Sequence, residues 1–229
     1  MQDTRIETGI RRSLCVLIVA VSSTFPLTNT AFAQALEDTF SDFENRWAVT
    51  VFELPIGKRD RALKSLLFEA RDLANKYSEL PKAVAWHGIV ANECLRNGCM
   101  SRSTRLRKEA RDALLKAESL DPLILDGLVY ATLGTLYSEA PTYLGGFGSK
   151  TRGIGYMWRA IVLDPEGLDA NYLYAELLVE EKRYKDAREV LVKASALPAR
   201  SDHERADLGR HRQIQALLEE VENRLNRKS

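Results

Sequence analysis

Two cysteines five residues apart, Cys94 and Cys99, are the side chains whose type and spacing most directly allow chemistry. Between them stands Leu95-Arg96-Asn97-Gly98, and an Asn-Gly pair stops a helix because glycine enters the left-handed backbone region at little cost. A reversal there brings the sulfurs together, so a local disulfide is expected, with two packed thiols as the alternative. A metal site is the weaker use of the same atoms. His87 lies seven residues before Cys94 on one helical face, but tetrahedral zinc takes four ligands, and His203 and His211 are far along the chain.

The second chemically suggestive stretch is glycine-rich, running from Ser138 to Gly148. Glycine loops cradle phosphates, yet this one has no Gly-Lys-Ser/Thr ending, no preceding strand and no acidic metal ligand in place. A shaped turn between helices is expected, with Pro141, Tyr143, Leu144, Gly145 and Gly146 as candidate ligand-binding or packing residues. The basic run Arg102, Arg105, Arg107 and Lys108 reads as a solvated face ahead of a helix. The motifs assemble no Ser-His-Asp set, no paired carboxylates and no metal cluster, so the chain is read as a non-enzyme without a cofactor; the alternative is a small-molecule binder or enzyme subunit with its site at the glycine-rich loop 139–148.

Charge narrows the partners. The 229 residues carry a net charge of +1, and 45% are hydrophobic. Arg5, Arg11 and Arg12 precede the short apolar run from Leu14 to Val21, and Ala31-Phe32-Ala33 supplies small residues where a signal peptidase cuts. Residues 1–33 are thus expected to be a removed secretory signal, leaving one domain over 34–229 in the periplasm or outside the cell. The run is well short of the roughly 20 apolar residues that span a bilayer, so no membrane anchor is expected after cleavage. What remains is neutral, with 30 basic and 30 acidic side chains. A neutral chain has no general field for phosphate backbones, and nucleic acid is not an expected partner.

Helices must position these residues. Leu36, Phe40, Phe43, Trp47 and Val51 recur at three- and four-residue steps, and Leu54-Pro55-Ile56-Gly57 breaks that lead-in helix. Leu63, Leu66, Leu67 and Ala70 mark the next helix, expected to pair with the lead-in as a hairpin. From Pro81 onward helices come in pairs closed by Pro122, Pro165 and Pro198, spaced 41, 43 and 33 residues apart, so the earlier units carry insertions. Ser201-Asp202 is expected to cap a final helix that turns Leu208, Ile214, Leu217, Leu218, Val221 and Leu225 inward.

Tyr130, Leu133-Gly134 and Tyr137, then Gly153, Met157, Ala160 and Leu163-Asp164-Pro165, trace the signature of a tetratricopeptide unit. Together with Glu139-Ala140-Pro141, Leu144-Gly145-Gly146, Tyr174-Ala175-Glu176 and Ala196-Leu197-Pro198, the stretch from about Leu123 to Leu225 resembles the tetratricopeptide family that includes the periplasmic T component of TRAP-type transporters. Eukaryotic relatives of that family are described as regulators of microtubule dynamics. Phe147 stands where the family usually has an acidic residue, leaving Ser149 as the expected helix cap. The resemblance implies an all-α solenoid of antiparallel helix pairs that associates with a partner, such as a solute-binding protein, and holds a small ligand in a central pore. It implies no catalysis. Aligning the repeats places Lys82, Ala85, Ile89, Asn92, Leu128, Ala131, Thr135, Ser138, Asp169, Tyr172 and Glu176 on a concave face, whose mixed polarity suits a protein or peptide partner. Self-association into a homo-oligomer is compatible with the same surfaces.

Overall fold

The computed structural model describes residues 27–100, 103–143 and 145–227. Most of the expected signal, together with Arg102 and Leu144, lies outside the described residues. Two compact units meet at Thr39 and Phe40. In the first, the described residues are helical from Leu27 onward and mostly exposed, Ala31-Phe32-Ala33 included. The Gln34 side chain donates to Asp38 (2.9 Å) and the Thr39 hydroxyl to the Ala35 carbonyl (2.7 Å), local bonds that support a solvated helix.

Every regular element among the described residues is a helix. They are α1 (Leu27–Ala48), α2 (Ile56–Lys76), α3 (Pro81–Arg96), α4 (Thr104–Leu120), α5 (Leu128–Glu139), α6 (Lys150–Leu163), α7 (Leu168–Glu180), α8 (Tyr184–Ser195) and α9 (Glu204–Asn226). A π-helical turn, Val49–Glu53, continues α1. Ends follow local chemistry. Pro81 opens α3, where a missing N–H costs nothing. Ser103 and Ser149 cap α4 and α6 by accepting from Leu106 N (3.0 Å) and Arg152 N (3.3 Å). The expected cap of α9 is corrected: His203 holds that position without a side-chain bond.

Within the second unit α3, α5, α7 and α9 are successive neighbours and form an inner row, with α4, α6 and α8 packed outside it. Small residues set the spacing. A Cβ on Gly88 would lie 2.5 Å from Leu114, and one on Gly127 would lie 2.7 Å from the Ala160 carbonyl oxygen, so α3 meets α4 and α5 meets α6 at glycine distance. Tyr130, Ala131, Met157, Ala160, Ala170, Leu173 and Leu177 form one core; Leu168, Ala175, Leu178, Leu191, Ile214 and Val221 belong to the next. Each buried large side chain contributes roughly 2 kcal/mol by leaving water, so the apolar stripes hold the rows together.

The two ends of this unit close on one another. Trp47 of α1 packs edge-on to Trp86 of α3 (5.1 Å) and to Phe52 (5.6 Å). Phe52 in turn lies against Gly209, where a Cβ would fall 2.3 Å from its ring, and Arg205 reaches Glu53 (3.2 Å). This contact overturns one expectation. Helix α9 turns Asp207, Gly209 and Arg210 inward at its start, and Leu208 is left 47% exposed.

Candidate functional site

Burial decides what the expected concave face can do. Ala85 and Ala131 are fully buried, and Ile89, Asn92 and Thr135 nearly so. They join inner helices to each other: the Asn92 amide nitrogen donates to the Thr135 hydroxyl (3.3 Å), which donates to the Thr132 carbonyl (2.9 Å). Lys82 is half-buried beneath α1, paired with Glu44 (3.1 Å) and lying over the Phe40 ring (5.4 Å). Leu128 is half-buried at the start of α5. Ser138 turns toward α6, where a Cβ on Gly153 would sit 2.1 Å from its hydroxyl. An open groove over these residues is therefore corrected to a packed seam. Repeat alignment assumed a free inner side, and neighbouring inner helices bury these residues against one another instead.

Asp169, Tyr172 and Glu176 differ. All three are half-buried on α7 and belong to a charged cluster beside a recess of about 310 Å³ lined by Arg96, Glu139, Tyr172, Glu176, Arg210 and Gln213. Arg96 binds Glu176 (2.6 Å) and Glu139 (3.1 Å), and the Tyr172 hydroxyl donates to Glu176 (2.8 Å). Arg210 lies between the rings of Tyr172 (4.6 Å) and Phe52 (5.1 Å) and donates to Asp169 (2.7 Å) and Gln213 (2.5 Å). Burial pushes the Tyr172 phenol well above its ordinary range, with the Glu176 charge adding to it. Burial also raises the Glu139 carboxyl, although Arg96 opposes it. Arg96 and Arg210 lose hydration, but their carboxylate partners outweigh that loss and keep them charged.

The recess offers donors and acceptors of both signs. It can grip a polar group by exchanging partners. Sequence reasoning missed Arg96 and Arg210. Arg96 was within reach of it, standing four residues after Asn92 on the same face of α3. Arg210 sits on a helix treated only as a cap.

The glycine loop spends its amides on itself. Gly146 N donates to the Tyr143 carbonyl (3.0 Å), Gly148 N to Pro141 (2.9 Å) and Ser149 N to Tyr137 (2.8 Å), so none of these three N–H groups is left for a phosphate. Gly145 has φ +76°, Tyr143 is exposed, and Phe147 packs on Tyr137 (5.3 Å) under the Arg111 guanidinium (4.6 Å).

Cys94 and Cys99 are disulfide-bonded, their Cα atoms 5.2 Å apart, and Gly98 has the left-handed φ of 84° that the reversal needs. The bridge is compatible with an oxidising compartment. Among the described residues no group of three or more His, Cys, Asp or Glu is placed to hold a metal ion, and no helix is long and apolar enough to cross a membrane. His87 instead shares Glu109 with Arg71, its Nε2 being 2.8 Å from Oε1. No protein-family model matches the chain, and neither does any curated protein.

Proposed function

We propose that the chain is an exported, non-catalytic helical-repeat module of tetratricopeptide type, an accessory to a TRAP-type solute transporter, that binds a protein or peptide partner. The observation that carries the binding role is the recess flanked by Arg96, Glu139, Tyr172 and Glu176, where charged groups of both signs remain half-open beside a packed seam. Paired helices ending at Pro122, Pro165 and Pro198 support the repeat reading, and the Cys94–Cys99 bridge supports export. A polar peptide segment suits the recess because each of its groups finds an opposite partner there. The partner is a solute-binding protein on this reading.

The test uses the full chain expressed with its own leader. A photo-crosslinking residue at exposed Asn97, on the lip of the recess, traps a partner that the same residue at Lys185, on the outer face of α8, does not. The exported form is expected to begin at Gln34, which its intact mass checks. Equal yields from both positions, or none from either, overturn the binding surface.

A further inference from the structure

With residues 1–33 read as a removed leader, the exported chain starts at Gln34. We propose that Gln34 is a modification site, its α-amino group closing on its own side-chain carboxamide to give an uncharged pyroglutamyl amino terminus. The inference rests on that leader reading and is independent of the partner-binding recess.

The step needs no co-reactant. The neutral α-amine nitrogen attacks Cδ of the carboxamide: an N–Cδ bond forms, the Cδ–Nε2 bond breaks, and Nε2 leaves as ammonia with a proton from the attacking nitrogen. Nucleophile and electrophile belong to one residue and close a five-membered ring, so the reaction is unimolecular. An α-amine has an ordinary pKa of about 8, so a working fraction of it is neutral at physiological pH.

The fold leaves the site open. Residues 30–35 are exposed, so the bond to be cut and the glutamine that follows it both stand in water. The Gln34 carboxamide donates from Nε2 to Asp38 (2.9 Å), a bond between exposed side chains one helical turn apart. A solvated bond of this kind contributes little, and the leading residues of a helix fray, so the side chain is free to turn back onto the amine.

Helix electrostatics favour the product. Helix α1 runs from Leu27 through the cut to Ala48, so cleavage takes away the carbonyls of residues 30–33 and leaves the N–H groups of the next four residues at a new helix start. An ammonium there adds charge to the positive end of the helix dipole, whereas the lactam carries none. The lactam also offers no α-amine to an aminopeptidase, which protects the exposed lead of α1 from trimming.

The test takes the full chain expressed with its own leader, collects it after export and reductively methylates its primary amines. Intact mass is read before methylation, and the tryptic peptide 34–46 after it; that peptide contains no lysine, so its α-amine is the one group that takes the label. The expected chain starts at residue 34 and is lighter by one ammonia, about 17 Da, with the peptide unmethylated in most molecules. Gln34→Asn offers only a strained four-membered ring, so it keeps its full mass and is methylated. A methylated, full-mass peptide beginning at Gln34 in most molecules overturns the modification and leaves export standing. The same loss in Gln34→Asn places it at another residue and also overturns the proposal. A chain that starts at any other residue overturns the leader reading, and the modification with it.

Discussion

Arg210 shows how a single side chain can decide what a surface is for. Its guanidinium is buried, stacked between two aromatic rings and held by Asp169 and Gln213, so it organises the recess from beneath and is not free for a visiting carboxylate. Arg96, with two carboxylates of its own, remains nearer solvent and can trade one of them for a ligand. His87 makes the complementary point about pH. Burial holds its imidazole below the ordinary value against the opposing pull of Glu109, so the folded chain prefers the neutral ring, its Nε2–H donating to Glu109. A base whose folded-state pKa is depressed contributes stability that is present above its unfolded pKa of about 6.5 and is lost as pH falls through the folded value. Glu109 works in the same direction further down. Burial raises its carboxyl, but bonds from Arg71 and His87 outweigh that and leave it depressed. Urea unfolding between pH 7.5 and 5 is therefore expected to show declining stability in the parent and a flatter profile in His87→Gln. Equal slopes in the two proteins would remove His87 from this role.

At the scale of elements, the order and ends of the helices were legible because their signals are local. Pro81, Ser149, Asn97-Gly98 and the apolar stripes each act within a turn or two of chain. The π-helical turn at Val49–Glu53 was not legible, since its extra residue is accommodated by Trp47 and Phe52 packing on partners distant in sequence. The cap of α9 was misread for a related reason. Asp207, not Asp202, collects the chain entering that helix, accepting from Arg200 N (2.8 Å) and pairing with its guanidinium, a choice that depends on how the α8–α9 connection folds back. The bridge between Cys94 and Cys99 fastens the end of α3 to the start of a long connection. Closing so short a loop is worth about 2 kcal/mol by chain entropy. Cys99→Ser is expected to lower the melting temperature by roughly 5 °C, and reductant should lower the parent by a similar amount while leaving the variant unchanged. A reductant effect of the same size in both would place the sensitivity elsewhere.

Across the whole second unit, what sequence reasoning could not supply was closure. Periodicity tells which stripe of each helix is apolar, but not that the first and last segments meet at Phe52. Contact between neighbouring inner helices turned Ala85, Ile89, Asn92, Ala131 and Thr135 from an expected surface into a seam, while Tyr172 and Glu176 stand beside the recess. Phe52 is the hinge of the argument because it touches both ends: Trp47 on one side, Gly209 and Arg210 on the other. Phe52→Ala deletes a half-buried ring and bares one face of a buried guanidinium, at a cost of about 2 kcal/mol, below the range for a fully buried phenylalanine. The loss should be local in hydrogen exchange. Amides in the first turns of α9 are expected to lose protection severalfold while those of α4, on the outer side, keep theirs. Uniform loss across both helices would mean that the ends contribute no separate cooperative contact.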